Sequence, residues 1–351
     1  MKNITVAVSG INAIDNPGPG TGIIRALKQS SFTVRAIGLA YDALEPGIYL
    51  DNLVDKSYIM PYPSGGKDSF LERIQYIHEQ EKMDVLIPAL DAELPVYIHL
   101  EEELKKMGIK MLIPTKKMFG LRDKTALKSL AGKIGIKAPE YVACSSLTDL
   151  HKAIETVHFP CMIKGPFYEA FRADTIEQAE KHFHKLEAKW GYPILAQEFI
   201  FGDEYDVIGC GDGLGKDLGI FAIKKMTLTS LGKVWNAVSI QNEKLTEITQ
   251  NLVRHLQWRG GFEMEILIDS ENQEPYLLEI NPRFPAWVYM SAACGINLPE
   301  RMVRFLMNNE SQFPGEYLAG KMMIRYTYEL LKDMKDFEQM VHFGELENHE
   351  K

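Results

Sequence analysis

Short apolar runs alternate with helix-period segments through the first third of the chain. Residues 4–8 (ITVAV), 33–40 (TVRAIGLA), 84–89 (DVLIPA) and 109–113 (IKMLI) read as strands, and 68–82 and 93–107 carry helical spacing. Strands alternating with helices predict an α/β unit with a parallel sheet, residues 1–114, closed by Pro114. A second unit, 115–190, opens with two short helices over 115–131 and breaks at GIKAPEY (135–141). It continues as a helix at 147–157, the strand FPCMIKG (159–165) and a helix at 175–190. In the third unit, 191–325, PILAQEFI (193–200) reads as a strand entering a hinge-like segment. Glycine turns then punctuate antiparallel strands over 205–240, and a helix at 243–258 precedes the strands FEMEILID (262–269) and PYLLEINP (275–282). The remainder, 326–351, reads as a charged tail, helical in part and frayed at its end.

The last two strands carry the most informative polar pattern. Met264, Ile266 and Ile268 share one face of the first, and Leu278 and Ile280 one face of the second. Side-chain alternation places Glu263, Glu265 and Leu267 together, and Glu279, Asn281 and Arg283 together. A hairpin turn centred on Asn272 sets Glu265 directly opposite Glu279, with Cβ atoms about 5 Å apart. Two carboxylates that close repel unless a cation intervenes. Oxygen ligands alone, Glu265, Glu279 and the Asn281 amide, suit a hard divalent ion, Mg²⁺ or Mn²⁺. Arg283 then meets phosphate or carboxylate oxygens in a bidentate way. The same spacing also fits an exposed hairpin with a solvated polar face.

Basic residues elsewhere bear on that choice. Lys164 ends an apolar strand before Gly165 and Pro166 and reads as a cation reaching into a cleft, whereas Lys124 taken alone is a solvated helix lysine. Lys224 and Lys225 continue the strand GIFAIKKM, so one of them faces the cleft side. Several cations and a carboxylate-held metal are what a polyphosphate requires. In QEFIFGDEY (197–205), Gln197 and Glu198 end a strand, Phe199 and Ile200 offer an apolar wall and backbone groups to an adenine edge, and Glu204 can accept from ribose hydroxyls. A polar strand end followed by a turn is the plainer reading of that segment. No GxxxxGK[ST] loop occurs. Gly18, Pro19, Gly20, Thr21 and Gly22 approach a dinucleotide fingerprint, with Ile23 where its last glycine belongs, and support a tight turn into a helix N-terminus able to take an anion.

Composition narrows the classes further. The 351 residues carry 39 Lys and Arg against 48 Asp and Glu, a net charge of −9, which argues against a nucleic-acid binder. Four cysteines without a CxxC pair read as buried thiols in a reducing compartment. No apolar run is long enough to span a membrane, and the first residues lack a cleavage-site pattern. The expectation is a cytoplasmic protein without membrane partners.

Taken in order, DK (123–124), the IKG containing Lys164, QEFIxGxEY (197–205), Glu265 and LEINPR (278–283) resemble an ATP-grasp enzyme over most of the chain. DVLIPALDAELP (84–95) and the IGIKAPEY break resemble the lead-in of the carbamoyl-phosphate synthetase and biotin carboxylase branch. The resemblance implies a Rossmann-like pre-ATP-grasp domain followed by a two-lobed α+β ATP-grasp domain that clamps ATP. It implies Lys124 and Lys164 on phosphates, Gln197, Glu198, Phe199 and Ile200 at adenine, and Glu204 at ribose. Glu265, Glu279 and Asn281 would hold Mg²⁺, with Arg283 and Lys225 as catalytic cations. The implied activity is an ADP-forming carboxylate–amine ligase working through an acyl phosphate on small-molecule carboxylate and amine substrates, an amino acid or peptide among them, with a homodimer as the candidate assembly. One departure is GPFYEAFRADT (165–175): the family's glycine-rich phosphate-covering loop is replaced by a segment with one glycine, where Arg172 could supply charge. This motivates an alternative, an ATP-binding regulatory or scaffold protein of the same ancestry. A dinucleotide-dependent oxidoreductase rests on residues 18–22 alone.

Overall fold

The computed structural model describes residues 3–14, 16–166, 169–229 and 232–348. Its first unit contains β1 (Ile4–Ser9), α1 (Gly20–Leu27), β2 (Val34–Ala40), β3 (Lys56–Ile59), α2 (Lys67–Glu81), β4 (Val85–Ile87) and α3 (Leu94–Lys106). These four strands pair in parallel in the order β3-β2-β1-β4, the half-sheet of a Rossmann-like domain. Phe70, Ile74 and Ile77 of α2 and Leu94, Tyr97, Leu100 and Leu104 of α3 cover one face. Residues 109–113, expected as a strand, touch β4 through one parallel bridge at Lys110. Their apolarity has another cause: Ile109, Met111, Leu112 and Ile113 are buried as the chain crosses to the rest of the molecule.

The middle of the chain supplies α4 (Lys116–Phe119), α5 (Leu127–Ile134), β5 (Tyr141–Cys144), α6 (Leu147–Val157), β6 (Cys161–Lys164), β7 (Ala170–Ala173), α7 (Ile176–Trp190) and β8 (Ile194–Glu198). Strands order as β5-β8-β6-β7, and α6 and α7 bury Leu150, Ala153, Phe183 and Leu186 against them. Ser146 and Thr175 cap these helices by accepting from Asp149 N and Gln178 N. The segment 165–175 is thus not all loop: β7 pairs with β6, with Arg172 opposite Met162. Tyr168 and Phe167 lie outside the described residues.

The remaining elements are β9 (Gly202–Asp212), β10 (Asp217–Leu228), β11 (Val234–Ile240), α8 (Glu243–Leu256), β12 (Arg259–Asp269), β13 (Pro275–Asn281), α9 (Tyr289–Ala293), α10 (Leu298–Asn308), β14 (Met322–Ile324), α11 (Met334–Phe343) and β15 (Glu345–Glu347). A six-stranded sheet runs β13-β12-β9-β10-β11-β14, antiparallel at every pair. On one face Val207, Ala222, Met264, Ile266, Leu277 and Ile280 pack with α5 and α8 residues Leu130, Leu245 and Leu252. The opposite face is divided. Ile208, Phe221 and Ile223 join Val6, Ile24 and Val288 in a core shared with the first unit, and the rest of that face is charged. The tail is ordered as far as described. After α11, β15 pairs antiparallel with β3, and Asn348 donates to Ile48 O and Val54 O. All four cysteines are buried thiols.

Candidate active site

The hairpin β12–β13 has the register that the polar pattern requires: Glu263 opposes Asn281, Met264 opposes Ile280, and Glu265 opposes Glu279. Past that point the ladder shifts, and Ile266 opposes Leu277. Leu278 is the extra residue of a β-bulge. This corrects the expected apolar face: Leu277, not Leu278, is the buried partner of Ile280. The bulge lets Glu279 and Leu278 both look toward the cleft while the strand stays anchored on either side.

Three groups of charge meet on this face. Around Glu263, the Trp287 indole N–H donates to Oε1 at 2.8 Å, and the Asn281 amide and Arg283 Nη1 donate to Oε2 at 3.2 and 3.3 Å. Arg283 Nη2 also reaches Asp91 Oδ2 at 3.4 Å, from the loop between β4 and α3. Asp91 and Glu263 outweigh burial and keep Arg283 firmly protonated. That loop is itself held by buried Glu93, which accepts from Ala89 N, Leu90 N, the Ser9 hydroxyl and the Tyr41 hydroxyl.

The second group centres on Lys225, whose Nζ lies 2.7 Å from Glu265 Oε2 and 3.1 Å from both Glu204 Oε2 and Asp206 Oδ1. Burial raises the Glu265 carboxyl, but Lys225, Lys164 and Arg283 overcome it and hold the group below the usual carboxylate range. Lys224 points elsewhere, to Asp203 at 2.6 Å.

The third group is Lys124, Lys164 and Glu279. Lys124 Nζ donates to Gly165 O at 3.0 Å, and burial lowers its pKa against the pull of Glu279 and Glu265. Burial and the Lys124 charge push Lys164 down to about 8, with Glu279, Glu265 and Glu204 opposing. Burial and Glu265 push Glu279 up to about 7, although Lys124, Lys164 and Arg283 stand near it. Neither the Lys164 nor the Glu279 side chain makes a hydrogen bond or ion pair among the described residues. Each feels the other's charge.

The remaining predicted residues lie toward the hinge. Gln197 and Lys124 line a cleft of about 270 Å³ with Leu127, Leu195, Leu277 and Leu278. The Glu198 carboxylate turns to Glu140 N at 3.1 Å. Phe199 packs edge-on against Phe201 with the Arg172 guanidinium 4.7 Å from its ring centroid, and Ile200 is half-buried. Arg172 therefore serves the hinge and pairs with Asp174, rather than projecting toward phosphates. Sequence reasoning left Asp91, Asp206 and Glu263 out of the site. Glu263 shares a face with Glu265, and Asp206 follows Glu204 by two, so alternation held the signal for both. Asp91 had no local signal, because tertiary packing brings it in.

A family model for ATP-grasp in the biosynthetic pathway with Ter operon matches residues 193–326. The carbamoyl phosphate synthase large chain of Pyrococcus furiosus is 26% identical over 257 residues, 68% of this chain and 24% of that protein. The chain is thus similar to ATP-grasp proteins. It spans about a quarter of the length of the curated relatives it matches. The N5-carboxyaminoimidazole synthetase of Staphylococcus aureus complexed with ADP superposes with a TM-score of 0.69 at 16% identity, over 91% of this chain and 80% of that one. The biotin carboxylase domain of Hydrogenobacter thermophilus 2-oxoglutarate carboxylase, in complex with MgADP, ADP and bicarbonate, gives 0.66 at 15% identity, over 90% and 72%. The fold expected from the resemblance, a Rossmann-like unit followed by two lobes of the ATP-grasp kind, is the fold these structures share with this chain. Among the described residues no helix is long and apolar enough to cross a membrane.

Among the described residues no three His, Cys, Asp or Glu side chains form a metal cage. The hairpin offers instead two opposed carboxylates, Glu265 and Glu279, and the Asn281 amide two residues on. That set fits a hard ion sharing its coordination with phosphate oxygens and water, as Mg²⁺ does.

Proposed function

We propose that the chain is an ATP-dependent, ADP-forming ligase joining a carboxylate to an amine through an acyl phosphate, with an amino acid or peptide as substrate. The observation that carries this reading is the uncommitted pair Glu279 and Lys164 beside Glu265, with Lys124 and Arg283 around them. Opposite charges without side-chain partners among the described residues suit a ligand that brings both anionic oxygens and a metal.

In this reading Lys124 and Lys164 grip phosphate oxygens, which returns Lys164 to full protonation. Gln197, the backbone of 198–200 and Leu278 border the adenine, and Glu204 accepts from the ribose. Glu265, Glu279 and Asn281 Oδ1 hold Mg²⁺, which when bound screens the charge of the transferring phosphoryl group. Arg283, fixed by Glu263 and Asp91, presents its fork to the reacting oxygens. A cytoplasmic location accords with this use of ATP and Mg²⁺.

ADP release with pooled L-amino acids and Mg²⁺ tests the reading. Wild-type turnover that E279A abolishes supports it; no turnover, or equal turnover in E279A, contradicts it. One observation favours a second reading, an ATP-binding regulatory protein of ligase ancestry. Glu169, in the turn that would cover the phosphates, is spent on Trp190 and Lys189 at 2.8 and 2.9 Å. Tight AMPPNP binding without turnover on any acceptor selects that alternative.

A further inference from the structure

Arg325 carries a charge that the fold leaves without a partner. It directly follows β14, where its backbone N–H donates to Asn236 Oδ1 at 3.2 Å. Met323 opposes Ala237, and Ala237 opposes Lys225. Opposed residues project to one side, so alternation carries Arg325, two beyond Met323, to the sheet face that holds Lys225 and the charged cleft. Its Nε is buried with no hydrogen-bond partner, and its guanidinium makes no ion pair among the described residues. Burial lowers its pKa, the mark of a desolvated cation with nothing to offset the cost. Few buried polar groups stay unsatisfied in folded proteins, and each that does calls for a cause.

Two further groups stand open nearby. Asp91 Oδ2 reaches Arg283, but Asp91 Oδ1 is buried without a hydrogen-bond partner. The Lys233 ammonium, just before β11, makes no bond among the described residues. Desolvation, Arg283 and Arg325 lower its pKa against Glu263 and Asp91, which sets all five charges in one neighbourhood. Glu263 is already engaged, since Trp287, Asn281 and Arg283 occupy both its oxygens. Two cations and one acceptor oxygen are thus left over. A carboxylate alone would satisfy the cations and be repelled by Asp91, and an amine alone would do the reverse. A head group that carries both on one carbon meets all three. We propose that Asp91, Arg325 and Lys233 recognise the zwitterionic head of an α-amino acid, its ammonium donating to Asp91 Oδ1 and its carboxylate meeting Arg325 and Lys233. The proposal rests on the ligase reading above and assigns the residues that select the amino-acid substrate.

The test is calorimetric titration of each of the common L-amino acids into protein saturated with AMPPNP and Mg²⁺. Wild type is expected to bind at least one of them. For that amino acid, the amino alcohol that lacks the carboxylate and the acid that lacks the α-amine are each expected to bind at least about tenfold more weakly. R325M is expected to lose about as much for the amino acid while binding the amino alcohol and AMPPNP as wild type does. D91N is expected to lose the preference for the amino acid over its deaminated analogue. The Arg325 guanidinium has no partner to lose, so R325M is expected to melt no lower than wild type; R325K is read in its place if R325M fails to fold, with the same direction of effect. No amino-acid binding beside bound AMPPNP, equal affinity for either truncated analogue, or undiminished binding by the folded variant overturns the proposal and leaves the nucleotide reading intact. Failure of wild type to bind AMPPNP overturns both.

Discussion

Two regions offered anion chemistry in the sequence, the glycine-rich turn at 16–22 and the acidic hairpin at 262–283, and the structure treats them in opposite ways. In the turn, the Gly18 N–H donates to Asn12 O at 2.7 Å and the Gly20 N–H to Gly10 O at 2.9 Å. Two of the donors a phosphate would need there are already spent. The glycines are explained by crowding: a Cβ on Gly18 would lie 2.4 Å from Gly10 O, and one on Gly20 2.2 Å from Ser9 O. Around the hairpin, Glu263 and Lys225 are saturated with partners, whereas among the described residues the Glu279 and Lys164 side chains have none. Ligand chemistry is expected where charge is left unsatisfied after folding, and a glycine motif reports only that two backbones approach closely.

The strongest way to break this contrast is E279A. The hairpin account expects ADP formation to fall about 10²–10³-fold, the loss typical of removing a group that meets transition-state charge, with the fold retained. Steady-state ADP release at saturating ATP measures it. The converse substitution, G20A, is expected to destabilise by about 1–3 kcal/mol through overpacking against Ser9. Denaturant melts should show that loss, while AMPPNP affinity of the folded fraction stays unchanged.

A pH experiment sharpens the comparison further. Glu279 titrates near 7 in the fold and near the ordinary glutamate value when unfolded, so the folded state binds the extra proton between those values. Its contribution to stability is full below the unfolded pKa and is lost as pH rises through about 7. Without Mg²⁺, wild type should lose on the order of 2 kcal/mol across this window, and E279Q should show a flatter profile. Thermal melts from pH 4.5 to 8 read the difference. W287F leaves Glu263 Oε1 without its donor and should cost about 1–2 kcal/mol in chemical unfolding. The smallest effect belongs to K128A. The Lys128–Glu140 pair is close at 2.6 Å but solvent-exposed on both sides, so its loss should stay within about 0.5 kcal/mol.

Much of the fold was legible because its signals are local. The alternation of Glu263, Glu265 and Leu267 and of Glu279 and Asn281 set the register of the hairpin near the cleft, and LEINPR located the lobe that carries it. The bulge at Leu278 was not legible, since both leucines of LLEI (277–280) suit either face and only packing on α5 and α8 selects Leu277. The segment 109–113 misled because apolarity marks burial before it marks pairing. Asp91 was hidden for a different reason: 192 residues separate it from Arg283, and no periodicity reports a contact between distant loops. Strand β15 was masked by charge, for Glu345 and Glu347 flank one buried leucine on a sheet edge, where Lys56 pairs with both.

In the proposed reading the carboxylates at 265 and 279 bring a divalent ion to a bound triphosphate. Calorimetric titration of AMPPNP into wild type and E279Q, each with and without Mg²⁺, tests it most directly. Mg²⁺ is expected to tighten binding at least about tenfold in wild type and not in E279Q, since the amide lacks the charge and one of the two carboxylate oxygens. An equal Mg²⁺ effect in the two proteins, or none in wild type, would contradict it.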